Sequence, residues 1–416
     1  MMVIQDSASE ARARQQEAET SGADADALNQ LGIKYRSGKG VPRNIRQALE
    51  AFLQAANQGH VGAQFNLGLI FSSGEDLPID YARAIAWYTK AAEQDYVRAQ
   101  FNLGVIYSNS EVAQHDIAQA LLWFRKAADQ GHVGAQNCMG RMYINGSGVA
   151  QDFAEAAAWF EKAAQQGDPA GQNNLGMLYG NGKGIAQNDK LAAHWYRKAA
   201  TQSYAIAQFN LALLLEQGKG TEKDLVEAAL WYEKAAEQGN IRSQCRIAAM
   251  YESGQGVTQD FVQAAKWYQR AAEHGNGKAQ YTLALMYDEG RGVTADGSAA
   301  LAWYRKAAEQ GQVDAQFVLG LRHDCGQDTA QDQQQAFAWY RKAALQHHAR
   351  AQFNLGLMYE FGHGTAADMV EAYRWYTLAE ANGETKAAAQ KAYLEEKLST
   401  EQKQLAQASA RAADKG

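Results

Sequence analysis

Apolar positions along the chain follow a helical period that restarts every 36 residues. In one segment Ala63, Leu67 and Phe71 lie four positions apart, which places them on one face of a helix. A turn follows, usually of the form Gly-x-Gly, and a second apolar helical segment such as 156–164 comes next. Each period therefore predicts two helices joined by a turn.

Tryptophan marks the register of this repeat. Each tryptophan lies 36 residues after the previous one, and the chain has none elsewhere. The tryptophans are Trp87, Trp123, Trp159, Trp195, Trp231, Trp267, Trp303, Trp339 and Trp375. Their period defines ten units between Ala27 and Lys386. Aromatic residues at helical spacing usually bury area, so we expect this column to pack between helices rather than to stack a ligand.

An aspartate or asparagine precedes the second helix of every unit. Its side-chain oxygen suits an N-cap because it accepts hydrogen bonds from free backbone N–H groups. These residues are Asn44, Asp80, Asp116, Asp152, Asn188, Asp224, Asp260, Asp296, Asp332 and Asp368. An alanine follows four residues later in every unit, from Ala48 to Ala372, and lets the two helices touch.

The pattern AQxxLGxxYxxGxGVxxDxxxAxxWYxKAAEQG, clearest at 135–170 and 279–314, resembles the Sel1-like repeat. That family is a relative of the tetratricopeptide repeat. The resemblance implies an all-α fold, a right-handed α-solenoid superhelix of ten 36-residue helix-turn-helix repeats with a C-terminal capping helix. It further implies that the first helices line the concave side, that the repeats contact other proteins, and that they carry no catalytic site.

We expect three segments in the chain. Residues 1–24 are polar and predicted to be mobile, 25–386 form the solenoid, and 387–416 form C-terminal capping helices. Within the last segment, Ser399 and Gln402 predict a capping box that begins a final helix. The third unit lacks the Gly-x-Gly turn, and the second and ninth units keep one glycine.

Composition narrows the possible functions. The net charge of −6 offers no basic stripe for nucleic acid, and no apolar run is long enough to span a membrane. Cys138, Cys245 and Cys325 form no spaced pair, which fits a reducing compartment. The first residues include no apolar leader, so we expect a cytoplasmic protein.

Candidate catalytic or metal motifs are weak. Residues 180–184 read Gly-Asn-Gly-Lys-Gly, but they follow a helix, and no Ser or Thr follows the lysine as a phosphate loop requires. His347 and His348 are adjacent and do not share a helix face. We therefore expect no cofactor, no metal and no enzymatic activity.

Two columns of the first helix are candidates for partner binding because they point toward the expected groove. The first is aromatic and consists of Phe65, Phe101, Phe209, Tyr281, Phe317 and Phe353. The second consists of Asn66, Asn102, Asn174, Asn210 and Asn354. Asparagine carries a donor and an acceptor, so this column could hold the main chain of an extended peptide. The alternative is that both columns join neighbouring repeats.

A third column, at the end of the first helix, becomes acidic in the second half of the chain. Its acidic members are Glu216, Glu252, Asp288, Asp324 and Glu360. The helix dipole disfavours a negative charge at this end, so helix stability does not explain them. We expect them to attract a basic partner; the alternative is a solvated rim.

The sequence thus predicts an interaction scaffold or adaptor that binds a partner polypeptide in the concave groove and is itself a monomer. An immunity or inhibitor protein that neutralises a toxic effector, and a host-directed effector, remain as alternatives. A hydrolase is disfavoured because the paired cysteines of the branch for which that activity is suggested are missing.

Overall fold

The computed structural model describes residues 24–413, with side chains up to residue 411, and every regular element in this range is an α-helix. These residues divide into two compact units, one ending at Gln202 and the other beginning at Ser203. The all-α prediction is confirmed. The predicted N-terminal segment 1–24 lies outside the described residues except for Asp24, which caps the first helix.

Each repeat is a pair of antiparallel helices, numbered here in chain order. The first helices are α1 (Ala25–Ser37), α3 (Val61–Ser73), α5 (Val97–Ser108), α7 (Val133–Asn145), α9 (Pro169–Asn181), α11 (Ala205–Gln217), α13 (Ile241–Ser253), α15 (Gly277–Glu289), α17 (Val313–Cys325) and α19 (Ala349–Phe361). The second helices are α2 (Ile45–Asn57), α4 (Tyr81–Ala92), α6 (Ile117–Asp129), α8 (Phe153–Gln165), α10 (Asp189–Thr201), α12 (Leu225–Glu237), α14 (Phe261–Glu273), α16 (Gly297–Glu309), α18 (Gln333–Ala344) and α20 (Met369–Ala381). The unit that ends at Gln202 holds repeats one to five, and the other unit holds repeats six to ten.

All ten predicted N-caps of the second helices are confirmed. Asp152, for example, accepts hydrogen bonds from the backbone N–H groups of Ala154 at 2.8 Å and Glu155 at 3.1 Å. A cap of this kind stabilises a helix by about 1 kcal/mol. The regular spacing of Asp and Asn therefore sets where each second helix begins.

Within each unit a buried glutamine links one helix pair to the next. Nε2 of Gln100 donates to the carbonyl oxygen of Ala92 at 3.1 Å, and its Oε1 accepts from Nε2 of Gln130 at 2.8 Å. Ala92 belongs to α4 and Gln130 follows α6, so one side chain joins two successive second helices. The same side-chain pair recurs as Gln64–Gln94, Gln136–Gln166, Gln172–Gln202, Gln208–Gln238, Gln280–Gln310, Gln316–Gln346 and Gln352–Asn382.

The tryptophan column packs as predicted. Trp123, Trp159, Trp267, Trp339 and Trp375 are buried, and the other four tryptophans are half-buried. A lysine or arginine lies over every tryptophan ring, as Lys162 does with its Nζ 3.8 Å from the centroid of Trp159. These cation–π contacts cover part of the outer edge of the column.

The C-terminal helices α21 (Lys386–Glu395) and α22 (Thr400–Ala413) pack on repeat ten. Leu394 and Ala406 are buried in one cluster with Tyr376 of α20. The predicted capping box is present: the backbone N–H of Ser399 donates to Gln402, and the backbone N–H of Gln402 donates to the Ser399 hydroxyl at 3.3 Å. These helices cover the apolar end of the second unit.

In repeats four, five, seven, eight and ten, the turn rests on the start of the preceding second helix. Gly256 has a φ of +74°, and a Cβ built there would lie 2.2 Å from the carbonyl oxygen of Leu225. In repeat nine Asp328 takes this position and binds Arg322 at 2.6 Å, while glycine at 297 makes room for its carboxylate. Repeat two likewise has Asp76, which binds Arg36 at 2.8 Å. The units with one glycine therefore exchange a close backbone contact for an ion pair.

Replacing Gly256 with alanine is expected to lower the free energy of unfolding by about 2–4 kcal/mol, since positive φ costs about 1–2 kcal/mol and the contact with Leu225 adds overpacking. Gly239→Ala is the matched control, because Gly239 has a φ of +84° but open space around its Cβ. We expect about 1 kcal/mol there. Urea unfolding of both variants measures the difference, and equal losses would show that the close contact carries no cost.

Candidate functional site

Within each unit, the first helices of neighbouring repeats carry the predicted binding residues. We call this part of each unit its first-helix surface; it includes Asn102 and Val105 in the first unit, and Phe209, Arg242 and Lys278 in the second. The three predicted columns occupy this surface at different depths. Their contacts decide how much of each column is free to meet a partner.

The aromatic column packs inside its own repeat. Each ring lies 5.6–5.9 Å from the aromatic ring of the second helix, 23 residues later, as Phe65 does with Tyr88. Phe65, Phe209 and Phe317 are buried. The remaining three are half-buried: Phe101, Tyr281 and Phe353. Packing therefore accounts for the column, and the prediction of partner contact applies to the exposed edges of these last three rings.

The asparagine column is half-buried and holds local hydrogen bonds. Nδ2 of Asn66 donates to Asn29 of the preceding repeat at 3.0 Å, which is the repeat-joining alternative. Nδ2 of Asn102 instead donates to the hydroxyl of Tyr88 at 3.1 Å. Three further members are also half-buried: Asn174, Asn210 and Asn354. At Asn66 and Asn102 a partner's main chain would therefore compete with an existing bond.

The acidic column has an internal partner that the sequence analysis missed. The tyrosine 16 residues later donates its hydroxyl to the carboxylate in all five acidic repeats. The pairs are Tyr232–Glu216, Tyr268–Glu252, Tyr304–Asp288, Tyr340–Asp324 and Tyr376–Glu360. Burial raises the pKa of each of these tyrosines, so each hydroxyl stays protonated and donates.

The sequence contains the signal for this pairing. Where the second helix has phenylalanine, at Phe124 or Phe160, the first-helix position holds Ser108 or Ile144 and no acid. A buried hydroxyl needs an acceptor and a phenyl ring does not. The acids therefore accept hydrogen bonds from buried tyrosine hydroxyls. This pairing explains why acidic residues occur at this position without the need for a basic partner or a solvated rim.

Arginines neutralise part of the acidic column. Glu216 pairs with Arg246 at 3.6 Å, Glu252 with Arg291 at 3.1 Å, and Asp288 with Arg322 at 2.5 Å. Asp324 and Glu360 have no ion-pair partner among the described residues. Attraction of a basic partner stays a prediction, and it applies best to repeats nine and ten.

Two cavities open on the first-helix surface, one in each unit. The first, of about 300 Å³, is lined by apolar side chains including Leu69, Val105 and Val112, with Asn102 at its polar side. Val112 belongs to the loop of repeat three that lacks the Gly-x-Gly turn, and it is buried. The departure of this repeat from the pattern thus helps to build a cavity. The second cavity, of about 410 Å³, lies among repeats six to eight.

The described residues hold no group of three or more His, Cys, Asp or Glu side chains that could bind a metal ion. The cysteines are unpaired, and burial raises the pKa of the Cys138 and Cys245 thiols, which disfavours the reactive thiolate. None of the described helices is long and apolar enough to cross a membrane.

The buried tyrosine–carboxylate pair can be tested at Glu360 because this acid lacks an arginine partner. Glu360→Ala leaves the hydroxyl of Tyr376 without its 2.7 Å acceptor and is expected to cost about 1–3 kcal/mol of unfolding free energy. In a Tyr376→Phe background the same change should cost less, because no hydroxyl is left unsatisfied. Urea unfolding of the four proteins gives the coupling; a coupling of zero contradicts the pairing.

Two first helices are each capped by a histidine that also stacks on a ring of the aromatic column. Nδ1 of His132 accepts from the backbone N–H of Ala135 at 3.2 Å, and its ring lies 4.4 Å from that of Phe101. Burial lowers the pKa of His132, and Arg98 lowers it further. His348 makes the same cap and stack, with its pKa lowered by burial. Both caps need a neutral ring.

Stability is expected to fall on acidification because protonation removes this cap. The folded-state pKa of His132 is lowered, so its contribution is present above the ordinary value of about 6.5 and is lost as the pH falls through the folded pKa. His132→Asn should reduce the loss between about pH 7 and pH 5. Asparagine already caps at this position, as Asn240 and Asn276. The unfolding temperature of the parent chain and the variant, measured as a function of pH, gives this loss. The same pH profile in both proteins would contradict the role of His132.

Comparison with known proteins identifies the repeat. A family model described as the Sel1 repeat matches ten consecutive stretches. They are 25–60, 61–96, 97–132, 133–168, 169–204, 205–240, 241–276, 277–312, 313–348 and 349–384. No match is found among curated proteins.

Two solved structures are similar over most of the chain. One is a protective antigen of uropathogenic Escherichia coli strains with an SLR fold, at 35% identity and a TM-score of 0.65, covering 96% of this chain and 94% of that one. The other is a Sel1 repeat protein from Oxalobacter formigenes, at 34% identity and a TM-score of 0.57, covering 74% of this chain and 90% of that one. Both support the Sel1 repeat fold.

Proposed function

The chain belongs to the Sel1 repeat family, and from this premise we propose that it is a non-catalytic scaffold or adaptor that binds a partner protein on its first-helix surface. The observation that carries the proposal is the position of the two cavities. Both open mainly between first helices of neighbouring repeats, where the sequence changes from repeat to repeat. Second-helix tyrosines, Tyr81 and Tyr88 in one and Tyr268 in the other, complete their walls. The second-helix positions that repeat most closely, the tryptophan and its cation, are occupied by packing.

Several features support binding of a polypeptide. The cavity of the first unit offers apolar side chains beside Asn102 and Ser72, so it can take an apolar side chain while a polar group meets the amide or hydroxyl. Val105 is 44% exposed at this place, although it is a large apolar residue on a helix. An exposed apolar side chain at the mouth of a cavity is a favourable contact for a partner. In this proposal the protein works in the cytoplasm as a monomer.

The proposal is tested with the partner that the full-length chain retains in affinity purification, purified and titrated back. Val105→Asp is expected to weaken binding at least about tenfold, because a carboxylate then faces an apolar contact. Val226→Asp is the matched control: Val226 is 61% exposed but lies on the second helix α12. Both variants should keep the thermal stability of the parent chain.

Isothermal titration of both variants separates the outcomes. Normal binding by Val226→Asp with weakened binding by Val105→Asp supports the first-helix surface. Equal affinities of the two variants, or the absence of any retained partner, would overturn the proposal.

A further inference from the structure

The cavity of the second unit lies where repeat seven departs from two columns at once. Cys245 stands where six other repeats have a phenylalanine or tyrosine, and Arg246 stands where five have asparagine. The missing ring leaves a space of about 410 Å³ between Phe209, Tyr268 and the start of α15. This volume lies within the usual range of about 300–1,000 Å³ for ligand sites.

Three cations line this cavity. Arg242 lies with its guanidinium carbon 4.3 Å from the ring centre of Phe209, which holds it in place. Arg246 pairs with Glu216 at 3.6 Å and keeps 52% of its side chain exposed. Lys278 is exposed as well, and no carboxylate pairs with it or with Arg242 among the described residues. The cations therefore outnumber the acids that neutralise them.

The neighbouring acids are already engaged by other groups. Glu252 accepts from the hydroxyl of Tyr268 at 3.1 Å and pairs with Arg291 at 3.1 Å. The side-chain oxygen of Asn276 accepts a hydrogen bond from the backbone N–H of Ala279 at the start of α15. Arg242 and Lys278 thus keep an excess positive charge at a cavity whose other walls include Phe209 and apolar side chains.

Repeat seven also loses half of the glutamine link between repeats: Nε2 of Gln244 still donates to the carbonyl oxygen of Ala236 at 3.1 Å, but no side chain donates to its Oε1. His274 stands where the other repeats have a glutamine or asparagine, and its ring bonds to the carbonyl oxygen of Arg270. The buried Oε1 of Gln244 is therefore left without a hydrogen-bond partner, and so is the buried hydroxyl of Ser243. Among the internal repeats, only repeat seven departs from the ring column, the asparagine column and the full glutamine link together. The buried polar groups that it leaves unsatisfied point to selection for something other than packing.

We propose that this cavity binds a carboxylate of the partner polypeptide, with the adjoining apolar side chain of the partner packed against Phe209, Leu213 and Ala249. Arg242, Arg246 and Lys278 supply the charge-assisted hydrogen bonds. The inference rests on the proposed function, since it states what chemistry a protein partner presents. It also makes repeats six to eight a site for an acidic segment, opposite in sign to the partner expected from the acidic column.

The test uses the full-length chain and labelled peptides that differ in one feature. The first contains a tryptophan followed by two glutamates and has an amidated C-terminus. The second replaces the glutamates by glutamines, and the third keeps the glutamines but ends in a free carboxylate. Fluorescence anisotropy should show the first peptide, or the third, binding at least about tenfold more tightly than the second and weakening as salt is raised. The first and third peptides distinguish a side-chain carboxylate from a chain terminus.

The decisive variant is Cys245→Phe, which restores the ring found at Phe209 and Phe317 and fills the cavity without a foreign side chain. It should fold and lose peptide binding. Arg242→Ala and Lys278→Ala should each weaken binding about tenfold or more. Arg98→Ala is the matched control, because Arg98 lies over Phe65 in the same repeat position of the first unit. It should bind like the parent chain.

Each outcome decides the proposal. It is overturned if the glutamine peptide binds as tightly as both carboxylate peptides, if neither carboxylate peptide binds, if Cys245→Phe still binds, or if Arg98→Ala loses as much affinity as Arg242→Ala. If the peptides fail while the chain still retains a partner that Val105→Asp weakens, the scaffold function stands and only the carboxylate site falls.

Discussion

The buried glutamine that joins successive second helices is the interaction on which the repeat architecture depends. A helix pair cannot bury both of its faces alone, so each repeat needs its neighbour. Gln136 makes that contact specific: it donates to the carbonyl oxygen of Ala128 and accepts from Gln166. Because it is only 3% exposed, a lost partner leaves a buried polar group unsatisfied. The link thereby fixes the register in which one repeat stacks on the next.

A fixed register determines which positions are free to change. The capping residue, the tryptophan with its cation and the glutamine are committed to the stack, and they recur with little variation. Substitutions accumulate instead on the first helices, which line the cavities. Among the internal repeats, only repeat seven alters all three features, the ring, the asparagine and the glutamine link, through Cys245, Arg246 and His274. The same repeat places an excess of positive charge at its cavity, and this combination is the basis of the proposed carboxylate site.

The sequence predicted the scaffold well because each scaffold feature is a residue type at a fixed spacing. The ten caps, the packed tryptophans and the capping box at Ser399 were all predicted correctly. The glutamine link was missed, although glutamine recurs at Gln64 and every 36 residues after it, because a polar residue on an amphipathic helix is usually interpreted as exposed.

The candidate site was harder to predict because its contacts join residues far apart in the repeat. The acids of the first helix could be explained only by pairing them with tyrosines 16 residues later. In the sequence, the cavity at Cys245 is visible only as an interruption of two residue columns. Such an interruption does not show which side chains surround the space that it leaves. The charges of Arg242 and Lys278 meet there only after two repeats have stacked.

The central claim is that recognition occurs where first helices depart from the repeat while second helices carry the scaffold. Hydrogen–deuterium exchange of the full-length chain, with and without its purified partner, tests this most directly. The account predicts that bound partner slows exchange in the first helices, above all in α13 and α15, and leaves the tryptophan-bearing helices α12 and α14 unchanged. Protection concentrated on α12 and α14, with none on the first helices, would contradict it.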